Sequence, residues 1–103
     1  LNPALVMCSI SGFGQEGPER ERAAYAPVLH AECGLIDRFA ELGKHHAVDF
    51  PASSADTTAA VHGVIGLLAA LLMAARTGQG QHIDLAMINT QFYHDDFLSM
   101  VLS

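Results

Sequence analysis

Positive charge is scarce in this sequence. Its 103 residues carry 5 Lys and Arg against 11 Asp and Glu, a net charge of −6 with histidine neutral. No basic stripe or Lys/Arg run exists, which excludes a surface that holds nucleic acid or an anionic membrane by its phosphates. Charge of either sign is thin, at 16% of residues against about 25% in an average soluble protein. Tryptophan is absent, and Cys8 and Cys33 are the only cysteines. They form neither a CxxC pair nor a disulfide framework, so a reducing, cytoplasmic setting is expected. The first residues lack the basic-then-apolar pattern of a secretory signal.

Apolar side chain is abundant instead, at 50% of residues. A chain this short is one domain at most and buries roughly two-thirds of its unfolded surface. Half-apolar composition is more than so small a surface comfortably hides. The sequence also begins at Leu1 without a Met and closes on Val101-Leu102-Ser103 without a helix-stop signal. It reads as an internal piece of a longer protein, with no second domain of its own.

Leu5-Val6-Met7-Cys8-Ser9-Ile10 is a near-continuous apolar run that Gly12 and Gly14 close. That pattern suits a strand buried on both faces of a parallel sheet. A loop over residues 12 to 24 comes next, with Pro18 and the cluster Glu19-Arg20-Glu21-Arg22. From Pro27, which fits the first turn of a helix, apolar residues recur at helical spacing as far as Phe39, with Gly34 as a weak point. A second irregular stretch spans residues 43 to 55. Helix resumes at Asp56-Thr57-Thr58 and is apolar all round through Val61, Val64, Ile65, Leu67, Leu68, Leu71 and Leu72, as a core helix is. It ends at Thr77-Gly78, where glycine supplies a left-handed cap. Gln81-His82-Ile83-Asp84-Leu85 alternates as a strand, and residues 87 to 102 return to helix. The order β–α–α–β–α predicts an α/β fold whose sheet is completed outside these residues.

Residues 57 to 75 carry no formal charge, and a spanning helix needs about 20 mostly apolar residues. A small membrane-associated helical protein is therefore a competing reading. Against it stand Thr57, Thr58, His62, Gly63, Gly66 and six alanines, with no aromatic belt and no basic flank beyond Arg76.

Three motifs bear on chemistry. Gly12-Phe13-Gly14-Gln15-Glu16-Gly17 spells GxGxxG after a strand, with Asp37 downstream, as in a dinucleotide fingerprint. That mechanism needs the third glycine to open a helix packed on the strand, whereas Pro18 and an acidic cluster come after it here, so a glycine turn is expected. The six histidines include His45-His46, which point apart on any regular element, and His94-Asp95-Asp96. Nothing has HxxxH or HExxH spacing, so no metal site is expected. Asp56 opens the strongest helix. It reads either as an N-cap or as a carboxylate nucleophile held at the positive end of a helix dipole, since the same physics favours both.

Read together, Asn2-Pro3-Ala4-Leu5 and Cys8-Ser9-Ile10-Ser11-Gly12-Phe13-Gly14-Gln15-Glu16-Gly17-Pro18 resemble a segment of the family III CoA-transferases. This is the formyl-CoA and carnitine CoA-transferase family. Tyr25-Ala26-Pro27-Val28-Leu29-His30-Ala31 is similar to its YDPVIQA stretch, with Ala26 in place of Asp and His30 in place of Gln. Ala55-Asp56 with Ile65-Gly66-Leu67-Leu68-Ala69-Ala70-Leu71 resembles its AD…IGILAAL helix. Arg76-Thr77-Gly78-Gln79-Gly80-Gln81-His82-Ile83-Asp84 resembles RTGRGQxVD. Four blocks in order cover nearly the whole chain.

The resemblance implies a fragment of a Rossmann-like large domain, 1–103, from a much longer chain that forms an interlocked homodimer. It implies transfer of coenzyme A between an acyl-CoA thioester and a carboxylic acid, with coenzyme A as substrate and no cofactor. It places the family's nucleophilic aspartate on Asp56 and a substrate-binding position on Tyr25, and makes the fragment alone inactive. The related α-methylacyl-CoA racemases, an alternative on the same scaffold, carry a His-Asp pair at the position of Tyr25-Ala26. A phenol does not accept a proton near neutral pH as an imidazole does, which favours the transferase.

Overall fold

The computed structural model describes residues 2–44, 46–49 and 51–93. Strand β1 spans Met7–Ser11, helix α1 Ala26–Glu32, helix α2 Leu35–Gly43, helix α3 Ser54–Thr77, strand β2 His82–Ala86 and helix α4 Met87–Tyr93. The two strands pair in parallel, from Met7 opposite His82 to Ser11 opposite Ala86. A parallel pair needs a long crossover between its strands, and α1 to α3 are that crossover. The α/β fold expected from the order of apolar segments is the one observed.

One expected helix is two. The apolar spacing from Pro27 to Phe39 reads as a continuous helix, yet the chain turns at Gly34, whose φ of 74° is left-handed. An L-residue with a Cβ rarely adopts that conformation, so the glycine marks the break. The Cys33 and Gly34 amides close α1 onto the Leu29 and Ala31 carbonyls at 3.0 Å each. Gly78 ends α3 as expected, with a φ of 73° and its amide on the Ala74 carbonyl at 2.8 Å. The last helix is described only to Tyr93, so His94-Asp95-Asp96 and the stretch to Leu102 lie outside the described residues, as does His45.

Helix α3 lies on the sheet through its small residues. A Cβ on Gly63 would stand 3.5 Å from Ile10 Cδ1, and one on Gly66 would stand 3.5 Å from Ile83. The strand ends are drawn together elsewhere: the Gly80 amide donates to the Pro3 carbonyl at 2.7 Å, and the Ile88 amide to the Gly12 carbonyl at 3.0 Å.

The core is small. Ala26, Leu29, Ala55, Ala59 and Met87 form its buried cluster, with Phe13, Ala24, Leu85 and Ile88 packed against it. Val61, Val64, Ile65, Leu68, Leu71 and Leu72 of α3 are exposed. The helix read as apolar all round thus buries mainly alanine and glycine. By length and composition α3 could cross a membrane, but it also carries the sheet on its glycine face. The radius of gyration, 16.5 Å, exceeds the value of about 13 Å for a compact chain of this length. The described residues thus close around only this small cluster.

Candidate active site

The buried cluster brings together Phe13 just past β1, Leu85 and Met87 at the end of β2, and Ala55 and Ala59 in the first turns of α3. The N-terminus of α3 therefore stands at the carboxyl ends of the parallel strands. Open α/β sheets present their ligand sites there, because loops and helix N-termini converge on that edge.

Asp56 is the third residue of α3. Its side chain is exposed, while Ala55 beside it is fully buried. The N-cap is Ser53, not Asp56. The structure thus removes the strict cap reading of Asp56 and leaves a carboxylate in the first turn, where the helix dipole favours an anion. Hydroxyls of the next two residues bond back to carbonyls of the turn. Thr57 Oγ1 donates to the Ser53 carbonyl at 3.2 Å, and Thr58 Oγ1 to the Ser54 carbonyl at 2.8 Å.

Tyr25 is the N-cap of α1, in extended conformation and 75% exposed. Its neighbour Ala26 is buried in the cluster that holds Ala55. Both candidate side chains therefore leave the protein from helix N-termini whose inner residues share one core, and no hydrogen bond joins the two among the described residues.

The glycine loop folds as a turn, without a helix opening at Gly17. Gly14 and Gly17 have φ of 95° and 92°, and the chain reaches α1 only at Ala26. The Gln15 amide donates to Asp84 Oδ2 at 3.2 Å, pinning the loop to β2. Arg22 anchors its far end, paired with Glu32 on α1 and stacked 4.8 Å from the Phe13 ring centroid. The hydrogen bond to Glu32 holds the Arg22 guanidinium above its ordinary pKa. The requirement of a dinucleotide fingerprint, a helix N-terminus facing the pyrophosphate, is not met. Among the described residues no three His, Cys, Asp or Glu side chains are grouped to hold a metal ion. Cys8 and Cys33 are not joined in a disulfide.

A polar network lies under the first turn of α3. His30, fully buried in α1, shares a hydrogen bond through Nδ1 with Asp49 Oδ1 at 2.9 Å and through Nε2 with Ser54 Oγ at 2.8 Å. Ser54 Oγ also reaches Gln91 Oε1 at 3.2 Å, and Gln91 Nε2 donates to Thr58 Oγ1 at 2.7 Å. In the sequence His30 stands out only as a departure from the family's pattern, and nothing marks Asp49, Ser54 or Gln91. They come from four separate segments, and no spacing in the sequence announces their meeting.

The family model for CoA-transferase family III matches residues 1–100. The chain belongs to CoA-transferase family III. It is 36% identical over 91 residues to succinate–glutarate CoA-transferase of Agrobacterium fabrum, covering 88% of this chain and 22% of that protein. To the beta subunit of succinyl-CoA–L-malate CoA-transferase of Chloroflexus aurantiacus it is 39% identical over 100 residues, 95% of this chain and 24% of the relative. To formyl-CoA:oxalate CoA-transferase of Streptomyces avermitilis it is 38% identical over 88 residues, covering 84% and 21%. The crystal structure of a CAIB/BAIF family protein from Brucella suis superposes with a TM-score of 0.82 at 33% identity, over 97% of this chain and 26% of that one. The chain spans about a quarter of the length of the family III proteins it matches. The four blocks that resemble the family occupy β1 with the turn after it, helix α1 with Tyr25 before it, helix α3, and the turn from α3 into β2.

Proposed function

We propose that the chain supplies the aspartate-bearing part of the large domain of a CoA-transferase that moves coenzyme A from an acyl-CoA thioester to a carboxylic acid. Asp56 is the covalent nucleophile and Tyr25 binds substrate. The observation that carries this reading is the exposed Asp56 carboxylate in the first turn of α3, at the carboxyl edge of the sheet in a family III chain. The open apolar face of α3, with mainly alanine and glycine on its buried side, fits a segment that packs within a larger domain.

The steps balance without a cofactor. An Asp56 oxygen attacks the thioester carbonyl and expels the CoA thiolate, leaving a mixed anhydride. The thiolate attacks the Asp56 carbonyl, forms an aspartyl-CoA thioester and releases the donor acid with that oxygen. The acceptor carboxylate attacks the aspartyl thioester, giving a second anhydride and thiolate. The thiolate then attacks the acceptor's carbonyl, forms the new acyl-CoA and returns Asp56 as a carboxylate. Each step exchanges one activated acyl bond for another, which is how covalent catalysis divides a barrier.

The relatives' names pair succinate, glutarate, malate and oxalate, so short dicarboxylic acids are the first to try. The same reading makes the whole protein a cytoplasmic homodimer. To test the nucleophile, the protein expressed in its own host is incubated with an acyl-CoA panel and quenched with hydroxylamine. Mass spectrometry is expected to find a hydroxamate on the Asp56 peptide. Binding of CoA with no adduct for any donor would overturn the reading and bring the racemase alternative forward.

A further inference from the structure

Ser54 and Asp56 are two residues apart on one helix, so their side chains diverge by about 200° around its axis. Ser54 is drawn inward and Asp56 is exposed. Whatever fixes the azimuth of Ser54 therefore fixes that of Asp56. At this end of α3 the buried apolar contacts are the alanines Ala55 and Ala59, and Gly63 and Gly66 seat the helix on the sheet further along. Directional contacts add to these. Ser54 Oγ bonds His30 Nε2 at 2.8 Å and Gln91 Oε1 at 3.2 Å, and one turn on Thr58 Oγ1 accepts from Gln91 Nε2 at 2.7 Å. The Gln91 bonds tie the turn to α4, whereas the bond to His30 reaches α1. His30 is in turn held at its other ring nitrogen by Asp49 at 2.9 Å. A fully buried polar side chain is expensive unless its bonds are made, and a satisfied network specifies one arrangement of the elements it joins.

We propose that His30 is a positioning residue for Asp56, an inference that rests on the reading of Asp56 as nucleophile. Clamped between Asp49 and Ser54, the imidazole locks the rotation of the first turn of α3 against α1. Because α1 carries Tyr25 at its N-cap, the same clamp sets the carboxylate in register with the substrate-binding side chain. His30 touches no reacting atom. Its effect falls on the geometry of attack rather than on donor binding, and misplacing a reacting group by about 1 Å can cost on the order of 100-fold in rate.

The chemistry of the two ring nitrogens makes a discriminating test. A glutamine amide reaches the place of Nε2 and can keep the bond to Ser54. An asparagine amide reaches only the place of Nδ1 and keeps the bond to Asp49. In the protein expressed in its own host, His30→Ala and His30→Asn are expected to lower kcat roughly 10- to 100-fold with KM for the acyl-CoA within about twofold. His30→Gln is expected to retain kcat within about threefold. Ser54→Ala removes the link to His30 from the helix side together with the longer bond to Gln91, with no loss of helix propensity that would unfold the turn, and is expected to lower kcat at least as far as His30→Ala. It decides the question if His30→Ala does not fold.

Equal activity of the Gln and Asn variants, or an unchanged kcat in Ser54→Ala, overturns the inference. The wild-type hydroxamate separates the two claims. A labelled Asp56 with full kcat in the His30 variants overturns positioning alone. An unlabelled Asp56 overturns the nucleophile and this inference with it.

Discussion

His30 Nε2 and Ser54 Oγ lie 2.8 Å apart, joining the buried face of α1 to the first residue of α3. That contact ties the helix bearing Tyr25 to the helix bearing Asp56. In the first turn of α3 Ser54 faces inward and Asp56 outward. A three-residue stretch thus carries an anchor, a core residue in Ala55 and an exposed carboxylate.

Replacing Asp56 with alanine is expected to abolish turnover while leaving the fold intact. The side chain is exposed, so the helix loses only a dipole contribution of about 0.5 kcal/mol. Removal of a nucleophile acts on a scale of roughly 1,000-fold or more in kcat. Steady-state kinetics beside circular dichroism measures both, and retained transfer with a native spectrum rules out Asp56 as nucleophile.

Oxygen accounting tests the anhydride route independently. When the acceptor's anhydride with Asp56 is opened by the CoA thiolate, one acceptor oxygen stays on Asp56. A substrate acid labelled with heavy oxygen in its carboxylate is expected to leave label in the Asp56 peptide, and label is expected to pass from there into the donor acid released next. Direct attack of the acceptor on the thioester would leave the peptide unlabelled.

The glycines separate by what a methyl group would meet. At Gly80 it would collide with the backbone carbonyl of Leu5, and at Gly12 with the Cβ of Ala24. Gly80→Ala is expected to destabilise by about 1–3 kcal/mol, because backbone does not yield as a flexible side chain does. At Gly63 the new methyl meets Ile10 and Cys8 at 3.5 and 3.7 Å, ordinary contact distances. Gly63→Ala is therefore expected to stabilise by up to about 1 kcal/mol through helix propensity. Thermal or denaturant unfolding of the two variants is expected to move in opposite directions.

Among the described residues Leu29 is the largest apolar side chain that is fully buried, in a cluster otherwise made of alanines and Met87. Leu29→Ala is expected to cost about 2–5 kcal/mol by lost burial and an unfilled cavity. Denaturant unfolding reads the loss. Leu72→Ala, on the exposed face of α3, serves as a second measurement. An equally large loss there would show that this face is covered in the whole protein.

Much of this was legible along the chain, because periodicity and punctuation are local properties. The apolar run before Gly12, the alternation at residues 81 to 85 and the glycine after Thr77 mark elements that the structure contains. Family membership was legible too, in four blocks of short motifs whose order survives substitution between them. Other features depended on residues far apart in sequence. Gly34 could weaken a helix or end one, and its left-handed φ shows that it ends one. Asp56 could cap or be presented, and the start of α3 at Ser54 decides that it is presented.

Composition and local pattern determined that the chain is an α/β segment with a carboxylate at the head of its longest helix. Only the tertiary structure decided which way that carboxylate faces. The azimuth of a helix is set by contacts made across space, here those of Ala55, Ala59, Gly63 and Gly66 with the core and the sheet and those of Ser54 with His30 and Gln91, and such contacts leave no period in the sequence by which to read them.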